Sequence, residues 1–330
     1  MPVRNEVESV TPEAWANMLQ PALRKTMVSA EISNSRFEPN LQVGDSFNYS
    51  YFSGDNTVVD YTEYTDIDNH EQLETTGEKL TVDKKPLVRK HVDDVEQLYL
   101  NVSAQMELAE EAGYALKDHI DQDILLHVMD ADSAIFDGDI KQIDTNNVIN
   151  MMTGARKDLR KANVEEDGDW IAILPPEITE QIELKATDSG FNVSDAAFRN
   201  GYAGSFVGFN VYNSNNLPEV IEVTEESAEI DASDVTNSEF DEGDVVTKQE
   251  FIDDDEFDEA TYNDVEDDYK ATACYFGKRG MIHTAYKQRP SMKERAIPKQ
   301  LGSYFYFYTV YGSKVFEKYS KRFLKGFLRA

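Results

Sequence analysis

Hydrophobic and polar positions along the 330-residue chain change period several times, and each change marks an element. Thr11, Pro12 and Glu13 supply a cap, a first-turn proline and a first-turn acid. Trp15, Met18, Leu19 and Leu23 follow at helical spacing, so a short amphipathic helix is expected over about 12–30. From 41 the period falls to two: Val43, Phe47, Tyr49 and Tyr51 alternate with polar residues, and Gly44-Asp45 and Gly54-Asp55-Asn56 carry turn chemistry. Extended structure continues through Val58, Val59 and Tyr61 and returns over 79–88 with Leu80, Val82 and Leu87. A long two-stranded excursion with so polar a surface buries little by itself and needs a neighbour to lie on.

The strongest periodicity runs from 93 to about 129. Val95, Leu98, Val102, Met106, Ala109, Gly113, Leu116, Ile120, Ile124 and His127 recur every three or four residues, one face of a helix about 50 Å long. Ala109, Ala112 and Gly113 stand where a coiled coil wants large knobs, so the expectation is a spine packed on a sheet. A second amphipathic helix is expected over 148–162 through Ile149, Met152, Ala155 and Leu159. A buried strand follows at 170–174, closed by Pro175-Pro176, and then a helix over 177–184. Glycines 201, 204 and 208 are expected to break 200–218 into turns around a strand at 209–212. Three strands are expected near the end, at 271–276, 281–286 and 303–316. No period of 20–50 residues recurs, so the chain is not a repeat array.

Charge divides the chain unevenly. The total is -31, which disfavours nucleic-acid or membrane binding by the surface as a whole. Residues 219–268 hold 22 Asp/Glu and one lysine, Lys248, whereas 270–330 hold 14 Lys/Arg and two acids, Glu294 and Glu317. That contrast reads as complementary surfaces within a subunit or between neighbours, or as a solvated acidic insertion. Phe240, Val245, Phe251, Phe257 and Tyr262 within the block suggest a small folded insertion or a loop pinned at intervals. The first 19 residues hold no apolar core of secretory length and no apolar run approaches ~20 residues, so neither export by a signal nor a membrane span is expected.

A search for chemistry leaves catalytic, cofactor-binding and metal residues all unassigned. Phosphate loops, dinucleotide fingerprints, zinc-protease motifs and nucleophile elbows are missing from the sequence. Gly204-x-x-x-Gly208 matches a membrane-helix motif only in letters. His70, His91, His119, His127 and His283 fall on different elements and read as core or surface histidines. The acids at 253–256 and 264–268 lack the spacing of an EF-hand loop. Cys274, the sole cysteine, sits in an apolar strand and reads as a buried inert thiol. Asn48, Asn101 and Asn192 begin sequons that carry no meaning without secretion.

Six local phrases, in order, resemble the major capsid proteins of tailed viruses with the HK97-type fold. Leu41-Gln42-Val43-Gly44-Asp45-Ser46 is similar to the phrase that opens their extended loop, and Glu78-Lys79-Leu80-Thr81-Val82-Asp83-Lys84 leads into the spine helix. Ile120-Asp121-Gln122-Asp123-Ile124-Leu125 resembles the ending of that helix. Asn163-Val164 before Trp170-Ile171-Ala172-Ile173-Leu174-Pro175-Pro176 resembles a step of their axial domain. Gly204-x-x-x-Gly208-Phe209-Asn210-Val211-Tyr212-Asn213-Ser214-Asn215 and Val310-Tyr311-Gly312-Ser313-Lys314-Val315 resemble two further phrases. The resemblance spans nearly the whole chain except 219–268.

It implies an α+β fold: an N-terminal arm with a short helix (1–40), an extended two-stranded loop (41–91), the spine helix of a peripheral domain (92–130), an axial domain (131–218), an acidic insertion (219–268) and C-terminal strands completing both domains (269–330). It also implies a structural, non-enzymatic coat protein without cofactors. Pentamers and hexamers touching through arm and extended loop would form an icosahedral head around double-stranded DNA, with the DNA met only by non-specific proximity. Scaffold, portal and decoration proteins would be partners, the membrane would not, and the location would be the virion. Some relatives cross-link lysine to asparagine; Lys84 and Lys85 fall in the loop region, but the residues themselves give no support for that chemistry. The acids are expected mostly outside, away from packaged phosphate. The competing reading is an acidic calcium-binding or surface interaction protein.

Overall fold

The computed structural model describes residues 28–36, 38–39, 46–52, 75–92, 102–188, 202–222, 245–253, 262, 269–296 and 303–329. The elements, in order, are α1 (Ser29–Ile32), β1 (Ser33–Asn34), β2 (Ser46–Phe52), β3 (Thr75–Thr81), β4 (Leu87–Val92) and the long α2 (Val102–Leu126). Then come β5 (Ser133–Ala134), β6 (Lys141–Gln142), α3 (Val148–Lys161), β7 (Trp170–Leu174), α4 (Pro176–Asp188), β8 (Tyr202–Phe206) and β9 (Phe209–Asn213). The chain closes with β10 (Glu219–Glu222), β11 (Val245–Thr247), α5 (Lys248–Asp253), β12 (Lys270–Lys278), β13 (Ile282–Ala296), β14 (Ser303–Lys314), α6 (Glu317–Ser320) and β15 (Phe323–Arg329). The helix expected over 12–30 lies almost wholly outside the described residues, as do the turns at 44–45 and 54–56 and the stretch 93–101.

Two sheets organise the chain. In the larger one β12 is central: β10 and β7 share one of its edges, and β15 takes the other. β9 joins β7 in parallel and β8 closes a hairpin on β9. β7 is buried at all five positions, because α3 covers the sheet with Met151, Met152, Ala155 and Leu159 and α4 adds Ile178 and Ile182. That is why this strand reads as an unbroken apolar run instead of an alternation.

In the smaller sheet the order is β1-β13-β14-β4. Ala112 and Leu116 of α2 lie on Phe307, with Phe305 and Val88 packed beside them. The spine therefore rests on a sheet. Among the described side chains its buried apolar positions are Ala112, Leu116, Ile120 and Ile124, continued by Leu125 and Val128. Two expected stripe positions are only half-buried, Gly113 and His127, because the buried line passes one residue to the side. The first turn after α2, His127–Asp130, is tighter than α.

β2 and β3 pair antiparallel over seven residues with every second residue exposed. The base of this hairpin is held on its own subunit: Leu80 and Val82 are buried with Ala285 and Phe316, and Phe47, Tyr49 and Val310 pack against them. The excursion continues outside the described residues at 53–74.

The extended run expected over 79–88 is divided: β3 ends at Thr81, and β4 begins at Leu87 after a bridge between Lys84 and Tyr311. Three expectations need correcting. Gly204 is inside β8 at a register shift, while Gly208, at φ 86°, makes the β8–β9 turn; Gly201 lies outside the described residues. β13 runs ten residues beyond the expected end, through Lys287-Gln288-Arg289-Pro290, with its register shifts on either side of Gln288. A bulge tolerates a proline that has no N–H to give. β15 was not expected. Its pattern, interrupted by Lys325 and Gly326, gives no clean period, yet it is almost entirely buried.

The acidic stretch begins inside the fold. β10 belongs to the large sheet, β11 pairs with it, and Thr247 and Glu250 form a reciprocal cap on α5, with Thr247 N–H donating to Glu250 Oε2 at 2.9 Å and Glu250 N–H to Thr247 Oγ1 at 3.3 Å. Ile221, Val246, Phe251 and Tyr262 make a core of their own. The stretch is pinned at these points; Phe240 and Phe257 lie outside the described residues.

Two glycines separate close approach from mere permissiveness. A Cβ on Gly312 would lie 2.1 Å from the Thr81 carbonyl oxygen, whereas one on Gly113, in mid-helix, meets nothing within 4 Å. Gly312→Ala is expected to cost ~3 kcal/mol or more by driving β14 off the hairpin base. Gly113→Ala is expected to stabilise by about 1 kcal/mol. Denaturant unfolding of both variants checks the pair; equal effects would refute the assignment.

Candidate assembly surfaces

A chain this polar in its extended parts must fix them to a rigid body, and two polar junctions do so. The first centres on Asp123 of α2. Lys84, between β3 and β4, donates to Asp123 Oδ1 at 2.6 Å and to Ser313 Oγ at 3.1 Å. Tyr311 OH donates to Asp123 Oδ2 at 2.9 Å, and Lys84 and Tyr311 exchange backbone hydrogen bonds at 3.1 Å. Burial, and then the Asp123 carboxylate, push the Tyr311 phenol far above its ordinary pKa, so it stays a donor. His127 lies between Asp130 at 2.6 Å and Ser313 at 2.9 Å. Hairpin base, spine and β14 are thus joined at one carboxylate.

The second junction holds the arm. Ser29 N–H donates to Asp121 Oδ1 at 2.8 Å, and Asn216 Nδ2 donates to Asp121 Oδ2 and to Asp118 Oδ1, each at 2.9 Å. Asp121 is 1 % exposed, a buried carboxylate retained because its oxygens are paired. The arm then runs beside β13. β1 pairs with Ile282 and His283 in parallel, Glu31 pairs with Arg279, and Arg289 Nη2 donates to Glu38 at 3.0 Å.

Three of the phrases picked out in the sequence meet at Asp123: those containing Lys84, Asp123 and Tyr311. The chain leaving the Asn215 phrase reaches Asp121 through the next residue, Asn216. Nothing in the sequence marks these contacts: a lysine, an aspartate and a tyrosine spread over 228 positions, from 84 to 311, carry no spacing signal.

The remaining candidates scatter. His283 is buried between Phe316 and Tyr319, with ring centroids 4.8 and 4.7 Å away. Burial, with Arg36 nearby, pulls its pKa down from 6.5 to about 4. His91 and His119 are exposed, and His70 lies outside the described residues. Cys274 is fully buried, and burial raises its thiol well above the ordinary value. Among the described residues no group of three or more metal-ligating side chains gathers, and no helix is long and apolar enough to cross a membrane. A shallow basic groove of about 480 Å³ lies between α3 and the β8–β9 turn, lined by Thr153, Arg156, Lys157, Arg160, Lys161 and Val207. Glu166 pairs with both arginines there, and they hold its carboxyl below the usual range.

The sequence matches no protein-family model and no curated protein. The fold does have solved counterparts. A chain from mycobacterium phage Che8 is similar with a TM-score of 0.65 at 18% identity, covering 94% of this chain and 95% of that one. A chain from the capsid structure of cyanophage P-SCSP1u gives 0.61 at 13%, covering 95% and 91%. A chain from the mature capsid of bacteriophage PhiM1 gives 0.56 at 14%, covering 94% and 91%. The chain has the fold of phage capsid proteins over nearly its whole length, a mixed α and β architecture.

Two outcomes follow from the junctions. Asp121→Ala removes the acceptor of the Ser29 N–H and leaves the Asn216 amide with Asp118 in place of two carboxylates, and is expected to cost about 2–4 kcal/mol and to speed proteolysis within the arm. His283 binds protons more readily unfolded than folded, so its contribution is complete above pH 6.5 and falls as the pH drops toward about 4. Unfolding free energy measured from pH 7 to pH 4 should decline over that window, and His283→Gln should flatten the decline.

Proposed function

We propose that this chain is the major capsid protein of a tailed double-stranded DNA virus, assembling as pentamers and hexamers into an icosahedral head. The observation that carries the reading is the extent of the structural match. More than nine-tenths of this chain and of each solved counterpart is covered by the match. Two of those counterparts come from structures described as capsids.

The physics of the subunit agrees. Among its described residues the hairpin buries only its base, and Phe52 is 66 % exposed, an unfavourable surface for an isolated chain and a natural one for a subunit that lies on its neighbour. Stability in such a particle is shared between copies, as suits a chain whose one cysteine can form no internal bridge. The role is structural and non-enzymatic, the location is the virion, and arm and hairpin make the contacts between subunits. Scaffold, portal and decoration proteins are partners of the assembled head.

The test is electron microscopy and light scattering on the purified full chain in magnesium, at low and molar salt. Closed shells, tubes, or five- and six-fold rings are the expected outcome. A chain that remains a compact monomer and orders only on adding calcium would overturn the reading.

A further inference from the structure

Ser313 carries chemistry that the Asp123 junction does not need. It follows Tyr311 by two residues on β14, so both side chains face the spine. Three groups surround its hydroxyl oxygen: His127 Nε2 at 2.9 Å, Lys84 Nζ at 3.1 Å and Asp123 Oδ2 at 3.4 Å. An ammonium only donates, so the oxygen accepts from Lys84. The one hydroxyl proton then goes to His127 or to Asp123. Lys84 already donates to Oδ1 of that carboxylate and Tyr311 OH to Oδ2, and the longer contact lies outside the usual range of about 2.5–3.0 Å between two oxygens. His127 is the acceptor.

The tight turn His127–Asp130 brings its first and last residues together, because positions three apart eclipse in such a turn. Asp130 Oδ2 lies 2.6 Å from His127 Nδ1. A carboxylate only accepts, so Nδ1 of the neutral ring carries the hydrogen and Nε2 presents its lone pair to Ser313. Carboxylate, imidazole and hydroxyl are thus linked in the order of a group that orients a base, the base, and its nucleophile. Both links fall within the ~2.6–3.2 Å that proton transfer asks for. Lys84 adds a cation beside the same oxygen, placed to stabilise negative charge as it develops there. The set opens to solvent: the side chains of Asp130, Lys84 and His127 are 51 %, 32 % and 19 % exposed, and Ser313 is half-buried. Neither His127 nor Asp130 is required to join hairpin base, spine and β14, which Asp123 holds through Lys84 and Tyr311.

We infer that Ser313 is an activated nucleophile, with His127 as its general base and Asp130 as the positioning carboxylate, and that it accepts acyl groups from small esters or thioesters. In the transfer a bond forms between Ser313 Oγ and the acyl carbon, and the bond from that carbon to the leaving oxygen or sulfur breaks. The hydroxyl proton passes through His127 Nε2 to the leaving group. An acylated Ser313 and a free alcohol or thiol result. This reactivity is additional to the structural role and does not depend on assembly.

The experiment treats the purified full chain with p-nitrophenyl acetate, follows release of p-nitrophenolate, and locates the acetyl group by peptide mass spectrometry. A single acetyl group on Ser313 is expected, formed in a burst by the folded chain and lost when urea unfolds it. The other serines of the chain, and Ser313 itself in urea, are internal references that stand even where a variant fails to fold. Ser313→Ala should abolish the burst, and His127→Ala should slow it about a hundredfold. Asp130→Asn, at an unchanged melting temperature, should slow it about tenfold or more, and Asp130→Glu, which keeps a carboxylate there, should regain most of the rate. A role confined to packing would favour the isosteric Asn instead. Acetyl groups confined to lysines, Lys84 included, overturn the inference. So does a burst that His127→Ala leaves at the wild-type rate, or acetylation of Ser313 as fast in urea as in the folded chain.

Discussion

Asp123 is where the extended and the rigid parts of the subunit are tied together. Its two oxygens take Lys84 from the hairpin base and Tyr311 from β14, while its own helix is buried against the same sheet. A carboxylate removed from bulk water is tolerated only when its lone pairs are matched, so the junction admits one arrangement of three segments distant in sequence. Beside it, Gly312 lets the Thr81 carbonyl approach so closely that no side chain fits between. The direction in which the described hairpin strands leave the body follows from these contacts.

The arm is governed by the same logic with a different carboxylate. Asp121, two residues earlier and on the other side of α2, accepts a backbone N–H of α1 and the Asn216 amide. One turn of the spine thereby orders the arm, the hairpin and the large sheet around itself. The spine need not be strongly amphipathic for this; most of what it contributes is position.

Charge is distributed to match. The acidic stretch starts as a strand, is capped at α5 and encloses a small aromatic core in which Lys248 lies 4.5 Å over the Tyr262 ring and Tyr262 OH donates to Glu219 at 2.9 Å. The described part of the stretch is thus a folded base at the edge of the large sheet. Cations of the C-terminal strands lie elsewhere, and several are paired within the chain: Lys278 with Asp167, Arg279 with Glu31 and Arg289 with Glu38.

Local pattern determined much of this protein. The spine, α3, the buried β7, the hairpin strands and the inert cysteine follow from periodicity and burial preference, because those elements bury one face against whatever lies beneath them. Six phrases in order were enough to indicate the architecture. Only the tertiary structure decided the rest. The second half of β13 is polar and carries a proline, and it is a strand because β14 holds it at every rung but the bulge. β15 has no clean period because it is buried on both sides. The junctions at Asp121 and Asp123 depend on which segments, distant along the chain, the fold brings to one turn of α2. Meetings of that kind are set by long-range packing, which no spacing along the chain encodes.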